Sequence, residues 1–261
     1  QGTFETFAAL ARKHFGDSLK NKIVLVYTLL LAALSWSVFS LEDNNTKGVL
    51  TLLNVILLTT PLVALVFSTI YIYNSSEFIE LLLSQPIKRN KIWRSIFLGL
   101  LVSLSLSYVI GAGIPIFIFN PDNLGLLFIV MGILITAVFT AIAAYCTMVT
   151  RDKAKGIGLA VMLWLLMTLL FDGILLFLMF QFSDYPIEKL MVILAALNPI
   201  DLTRIVILLQ LDVSAMLGYT GAIFKSFFGS NSGSVLSALI LVMWTLVPFA
   251  ASARRFNRKD L

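Results

Sequence analysis

Residues 124–150 read LGLLFIVMGILITAVFTAIAAYCTMVT, a stretch without a charged side chain. A helix needs about 20 mostly apolar residues to cross roughly 30 Å of hydrocarbon. This stretch is long enough to do so in one pass. It therefore predicts a helix that spans a membrane.

Similar runs occur on both sides of this stretch. The first run is too long, and too far from a small-residue cleavage signal, to be a secretory peptide. Of the 261 residues, 59% are hydrophobic and 13% are charged, a balance that a water-soluble domain of this size could not bury in one core. We expect an all-α membrane protein, a single transmembrane domain over residues 1–261, with spans at residues 23–41, 49–73, 95–119, 124–150, 156–182 and 234–253.

Basic residues are concentrated in alternate loops. All but Lys47, Lys189, Arg204 and Lys225 lie in the N-terminal segment, the second loop, the fourth loop or the tail 254–261. The positive-inside rule places these segments in the cytoplasm, which predicts a multi-pass protein of the cell inner membrane with both termini cytoplasmic. The basic residues behind the net charge of +5 then face the headgroups of membrane lipids, and nucleic acid is not an expected partner.

Residues 1–22 predict an amphipathic helix in the cytoplasmic interface. A plain membrane anchor and a specific docking role both remain open for it. His14 stands alone there, and we expect a solvated surface residue rather than a metal ligand. The apolar positions at helical spacing are Phe4, Phe7, Ala8, Ala11, Phe15 and Leu19.

The second cytoplasmic loop predicts a short helix over residues 77–85. Residues 74–76 offer caps, acidic residues follow in the first turn, Phe78, Leu81 and Leu82 form one apolar face, and Pro86 ends the run. Such a helix is too short to span, and it is suited to a groove on a soluble partner. A loop helix lying on lipid is the alternative.

The external segment 183–233 is too long and too apolar for a plain connection. Because Pro199 interrupts it and a seventh crossing would expel the basic tail, the pattern favours two short helices that dip from the outer face. The stretch 218–229 after them is rich in glycine and aromatic residues. Membrane anchoring is its default interpretation, and contact with an external protein is the alternative.

The chain lacks the motifs of nucleotide and metal chemistry. No G-x-x-x-x-G-K-[ST] phosphate loop occurs, so ATP and Mg²⁺ would bind to another subunit, and the chain is not expected to be an enzyme by itself. There is no H-E-x-x-H and no Cys/His cluster, and the methionines have no repeated ligand spacing, so no metal site or cofactor is expected. Cys146 is the only cysteine, which excludes an intrachain disulfide.

Asp172 is the one charged residue within the predicted spans. A charge at that depth costs roughly 3 kcal/mol or more, so something must compensate for it. A structural hydrogen bond across a helix interface and a role at a dimer interface or transport path both remain open. Small residues at 111–113, and at Ala137, Ala141 and Ala144, allow close helix packing within one chain or between two.

The combination of six spans, an N-terminal interfacial helix, a cytoplasmic coupling helix and re-entrant external helices resembles the ABC-2 (type V) permease fold over the whole chain. Four late stretches carry a closer resemblance to NosY-type permeases, the permease subunits of the system that matures the copper site of nitrous oxide reductase. They are LNPIDLTR at 197–204, LQLD at 209–212, GYTGA at 218–222 and RRFNRKDL at 254–261.

The resemblance implies a homodimer that works with a cytoplasmic ABC ATPase and a periplasmic copper-binding accessory protein. The chain would transmit motion, or carry a sulfur species, rather than pass copper itself. The coupling residues implied are Glu77, Phe78, Glu80, Leu81, Leu82, Ser84, Gln85, Pro86 and Arg89. Those implied to face the external partner are Asn198, Asp201, Arg204, Tyr219, Phe224, Lys225, Phe227 and Phe228.

Two other classes of function remain open. One is an ABC-2 exporter of another substrate, such as a lipid, a drug or an ion. The other is a membrane enzyme or scaffold that works without an ATPase.

Overall fold

The computed structural model describes residues 2–42, 45–85, 87–182, 188–211 and 231–258, and the regular secondary structure within them is helical. Within these residues six segments are long and apolar enough to cross a membrane, which confirms the predicted all-α class and the six spans. They are Lys22–Leu41, Lys47–Asn74, Arg89–Phe119, Asn123–Val149, Lys153–Leu175 and Gly233–Arg258.

Twelve α-helices and two π-helical turns make up the described chain. Before the third span these are α1 (Gly2–Leu19), α2 (Lys22–Leu41), α3 (Asn45–Asn74) and α4 (Ser76–Leu83). The third and fourth spans consist of α5 (Arg89–Tyr108), a π turn (Val109–Gly113), α6 (Ile114–Phe119) and α7 (Asn123–Val149). The remainder consists of α8 (Lys153–Leu165), a second π turn (Leu166–Leu170), α9 (Phe171–Gln181), α10 (Glu188–Leu197), α11 (Pro199–Gln210) and α12 (Asn231–Arg258).

The helices extend beyond the predicted spans at their charged ends. The third span begins at Arg89 instead of residue 95, and the sixth continues to Arg258 instead of residue 253. Apolar character ends at the first charge, but Lys and Arg are good helix formers, and their long side chains reach the headgroup region. The helices therefore continue through it.

The fourth span, α7, forms the centre of the fold. In the most apolar stretch of this span 67% of the residues are buried, whereas 6% are buried in the corresponding stretch of the fifth span and 11% in that of the sixth. It packs against α3, α5 and α12. Ala137, Ala141 and Ala144 are all buried, so this predicted small-residue face meets neighbours in the same chain.

The first π turn brings the third span against the first. A Cβ atom at Gly111 would lie 2.8 Å from Leu31 Cβ and 2.9 Å from the Thr28 carbonyl oxygen of α2. Only glycine fits at that distance, so this second small-residue stretch also packs within one chain.

Helices α10 and α11 are two short helices, as predicted, and not one long one. Pro199 begins α11, where a missing N–H costs nothing, and the Asn198 side chain caps the helix by accepting from the Ile200 amide at 3.1 Å. Leu202, Val206 and Ile207 are buried against the protein. Entry of the pair from the outer face stays a prediction.

Candidate functional site

Helix α4 has one face on the protein and one face exposed. Ile79 and Leu82, three residues apart and therefore on one side of the helix, are 5% and 6% exposed. Glu77 and Glu80 are exposed, and Leu81 is 65% exposed. The predicted apolar face is therefore divided, since Leu82 faces the protein and Leu81 faces outward.

Phe78 connects α4 to the N-terminal helix. Its ring is half-buried and meets the His14 ring edge-on, with 5.8 Å between the ring centroids. The Lys13 ammonium lies 3.7 Å from the centroid of the same ring, a cation–π contact. Helix α1 is therefore the neighbour against which this side of α4 rests.

The expectation of a solvated His14 is wrong. The side chain is 1% exposed, and Nδ1 shares a 3.0 Å hydrogen bond with the Tyr71 hydroxyl at the end of α3. Burial lowers the pKa of His14 to about 4, with Asp17 partly opposing the shift. The imidazole is therefore neutral at neutral pH, and it joins α1, α3 and α4 without adding a charge between them.

Helix α1 is fixed to the third span. The Ser18 and Ser103 hydroxyls form a 2.6 Å hydrogen bond. At Gly99 a Cβ atom would lie 2.6 Å from His14 Cβ and 3.0 Å from the Phe15 amide nitrogen. The buried side of α1 therefore includes His14 and Ser18, which the apolar pattern of the helix did not indicate.

At the end of the bundle where α4 lies, side chains tie the spans together. The Tyr73 hydroxyl donates to the Thr150 carbonyl at 3.0 Å, and Lys153 Nζ donates to Asn74 Oδ1 at 2.7 Å. These bonds join the second span to the fourth and the fifth.

A second set of contacts at this end joins the third span to the sixth. Trp93 stacks on Phe256, with centroids 4.7 Å apart, and its Nε1 donates to Ser252 Oγ at 3.0 Å. Arg89 Nη1 donates to the Asn257 carbonyl at 3.5 Å. Arg89, a predicted coupling residue, is therefore in contact with the end of the sixth span.

An ionic cluster lies further along the fifth span. Arg204 Nη1 of α11 is 2.8 Å from Asp172 Oδ2 and 3.4 Å from Asp201 Oδ1. Asn198 Nδ2 donates to Asp201 Oδ2 at 2.8 Å and to the Met167 carbonyl at 2.7 Å. Asp172 is thus compensated across a helix interface, as the structural interpretation expects, and its role in transport stays open.

Part of this cluster had a signal in the sequence. Asn198, Asp201 and Arg204 are spaced by three residues, which places them on one face of a helix. Their partner Met167 lies in the π turn Leu166–Leu170, where regular i to i+4 bonding is interrupted. No residue type marks such a turn, so the sequence did not predict this contact.

The predicted external contacts are only partly visible. Asn198 and Asp201 are 1% and 3% exposed, so both side chains point into the protein, and the Arg204 side chain is 27% exposed. Pro86 of the coupling segment, and Tyr219, Phe224, Lys225, Phe227 and Phe228 of the external segment, lie outside the described residues. The partner-facing surface therefore stays a prediction.

Comparison with known proteins gives one family match and two similar proteins. The model of the family described as "ABC-2 family transporter protein" matches residues 8–261. The "Probable ABC transporter permease protein NosY" of Pseudomonas aeruginosa is 30% identical over an alignment 275 residues long, gaps included, which covers 97% of this chain and 98% of that protein. The protein of the same name from Stutzerimonas stutzeri is 30% identical over 218 residues, which cover 76% of this chain and 79% of that protein.

Proposed function

This chain belongs to the ABC-2 family of transporter permeases, and from that membership we propose that it couples ATP hydrolysis by a separate cytoplasmic ABC ATPase to the maturation of the copper site of nitrous oxide reductase. The similarity to two proteins named NosY supports this role. The output is transport of a substrate, or motion passed to a periplasmic copper-binding accessory protein.

The observation that carries the proposal is the two-sided burial of α4. A helix that docks into a partner must expose one face and must also be held firmly enough to pass on a displacement. Glu77, Glu80 and Leu81 provide the exposed face, and Ile79 and Leu82 hold the helix. A few exposed side chains around Leu81 would supply most of the binding energy.

Displacement of α4 has short routes into the bundle. Phe78 rests on His14 and Lys13 of α1, and α1 is in turn fixed to the third span at Gly99. Arg89, six residues after the end of α4, contacts the end of the sixth span. A push by the ATPase would therefore reach the third and sixth spans together.

Orientation and assembly complete the proposal. Exposed basic residues near α4 include Arg12 of α1, and Lys88 and Arg94 at the start of the third span; the positive-inside rule assigns this end of the bundle to the cytoplasm. The protein is then an inner-membrane permease with both termini cytoplasmic. Two copies of the chain would form the permease, as in the family.

The coupling assignment predicts the effect of charge reversal on α4. In the complex reconstituted with its ATPase, Glu80→Lys should lower permease-stimulated ATP turnover by about tenfold, the equivalent of about 1.4 kcal/mol of lost docking energy. Glu77→Lys should act in the same direction. Turnover and co-purification of the ATPase are the measurements.

The matched control is Asp122→Lys, because Asp122 is also an exposed acidic residue at the start of a helix but lies at the opposite end of the bundle. It should leave ATP turnover unchanged. Normal turnover and assembly with both α4 variants would refute the coupling role. Cells that lack the permease and still make reductase with a complete copper site would instead favour the exporter alternative.

A further inference from the structure

An apolar groove lies between the first and second spans, at the N-terminal end of α2. Its volume is about 450 Å³, and its walls include Ile23, Val26 and Leu30 of α2 and Leu62 and Val63 of α3. It is open along its outer side, where Val26 is 60% exposed. The groove is therefore accessible to lipid.

The hydroxyl groups along the groove have partners within the protein. The Tyr27 hydroxyl donates to Thr60 Oγ1 at 3.0 Å, and Thr59 Oγ1 donates to the Val55 carbonyl at 2.7 Å. Because these hydroxyl groups are already hydrogen-bonded, a polar ligand would form few hydrogen bonds with the walls of the groove. A water molecule would also find few hydrogen-bond partners there. The walls therefore favour an alkyl chain.

Lys22 makes one end of the groove different from the rest. It is exposed, it lines the groove, and it is the first residue of α2, so its ammonium lies at the level where lipid headgroups meet the protein. The positive end of the α2 dipole lies at the same place and also favours an anion. Among the described residues that line the groove, none is acidic.

We propose that this groove binds one anionic glycerophospholipid, with an acyl chain between α2 and α3 and the headgroup phosphate on Lys22. Cationic sites between spans at the membrane surface select such headgroups. A net negative headgroup satisfies Lys22 fully, whereas the amine of a zwitterionic lipid would oppose it. The proposal is independent of the ATPase and of the transported species.

The test is native mass spectrometry of the full-length protein released from nanodiscs that contain equal amounts of phosphatidylglycerol and phosphatidylcholine. The wild-type protein should retain phosphatidylglycerol preferentially. Lys22→Gln should lower the retained ratio of the two lipids about fivefold, while Lys20→Gln, at a neighbouring lysine outside the groove, should change it much less.

A second pair of variants tests the groove itself. Val26→Trp places an indole ring in the groove and should obstruct binding of the lipid. Leu25→Trp is the matched control, because Leu25 is the neighbouring residue, is 51% exposed and does not line the groove. Lys22→Gln keeps the test decisive if Val26→Trp does not fold.

Three outcomes would overturn the proposal. One is equal retention of both lipids by the wild-type protein, and another is equal loss with Leu25→Trp and Val26→Trp. The third is a disulfide between two copies of Val26→Cys in native membranes, because it would show that a second copy covers the groove. Cys146 is buried and would not interfere with that experiment.

Discussion

At residue scale, the fifth span depends on how two acidic side chains share one guanidinium. An uncompensated charge within a span costs roughly 3 kcal/mol, and Arg204 at 2.8 Å offsets that cost for Asp172. Asp201 lies 3.4 Å from the same guanidinium and accepts from Asn198, but burial and the neighbouring Asp172 raise the pKa of Asp201, so this acid is readily protonated. Arg204 therefore compensates chiefly for the charge of Asp172.

This sharing predicts unequal effects of two neutralising substitutions. Arg204→Gln leaves the Asp172 carboxylate without a cation and should lower the free energy of unfolding by about 2 kcal/mol. This is less than the cost of breaking a fully buried pair, because the side chains of Arg204 and Asp172 are 27% and 33% exposed. Asp172→Asn leaves Arg204 paired with Asp201 and should cost about 1 kcal/mol or less.

Chemical unfolding of the purified protein in nanodiscs measures both effects. The double variant Asp172→Asn/Arg204→Gln should be more stable than Arg204→Gln alone, because it removes the charge that the loss of Arg204 leaves unpaired. Equal losses from the two single substitutions would show that the cluster does not share its cation in this way.

Individual side chains show what the sequence could not supply. Asp172 was correctly identified as needing compensation, because the cost of a charge in a span depends on its position alone. Its partner depends on the packing of α11 against α9. His14 was misplaced because a polar residue on a surface helix is usually solvated, and only the close approach at Gly99 puts it against α5.

At the scale of elements, the docking of α1 on the third span is set by one glycine. A Cβ atom at Gly99 would meet His14 Cβ and the backbone of α1, which cannot move aside as a flexible side chain can. Gly158 of α8 is also inside a helix, and a Cβ atom there would meet nothing within 4 Å. Substitutions at these two glycines therefore separate the effect of helix packing from the effect of helix propensity.

We predict that Gly99→Ala destabilises the protein by about 1–3 kcal/mol, because the added methyl group forces α1 away from α5. Gly158→Ala should be neutral or stabilising by up to about 1 kcal/mol, since alanine is the better helix former. Unfolding midpoints of the two variants in the same nanodiscs provide the comparison. Equal midpoints would mean that α1 is not held at Gly99.

Short elements were predicted with unequal success. Caps, acidic first-turn residues and a following proline correctly indicated a helix in the second loop, now α4 (Ser76–Leu83). Its inward face was only partly predictable, because Phe78, Ile79 and the three leucines after Glu80 form an apolar arc of about 200°, wider than the part that packs on the protein. Which of them is buried depends on where α1 and α5 lie.

At the scale of the whole molecule, the six spans follow from local thermodynamics. A stretch of about 20 apolar residues is stable in hydrocarbon wherever it occurs in a chain, so the sequence alone predicted their number. The central position of α7 depends on helix–helix contacts between distant segments. Small residues indicated close packing there, but they did not indicate the partner helices.

The distribution of basic residues predicts the sidedness of the entire protein. In intact cells a membrane-impermeant maleimide should label a cysteine at Asn123 and should fail to label one at Ser84 until the membrane is permeabilised. Both positions are exposed and lie at opposite ends of the bundle. Labelling of Ser84→Cys in intact cells would place α4 outside and would end its assignment to an ATPase.

Because of the π turn Leu166–Leu170, the position of Asp172 depends on the number of residues in the fifth span as well as on their chemistry. Each residue of an α-helix advances the side-chain direction by about 100°. Deleting one residue from this turn would therefore rotate Asp172 away from α11, although every charged residue would still be present in the sequence. Homologous chains should accordingly be compared by helical phase at this point. A single-codon insertion or deletion here would therefore change the geometry of the ionic cluster.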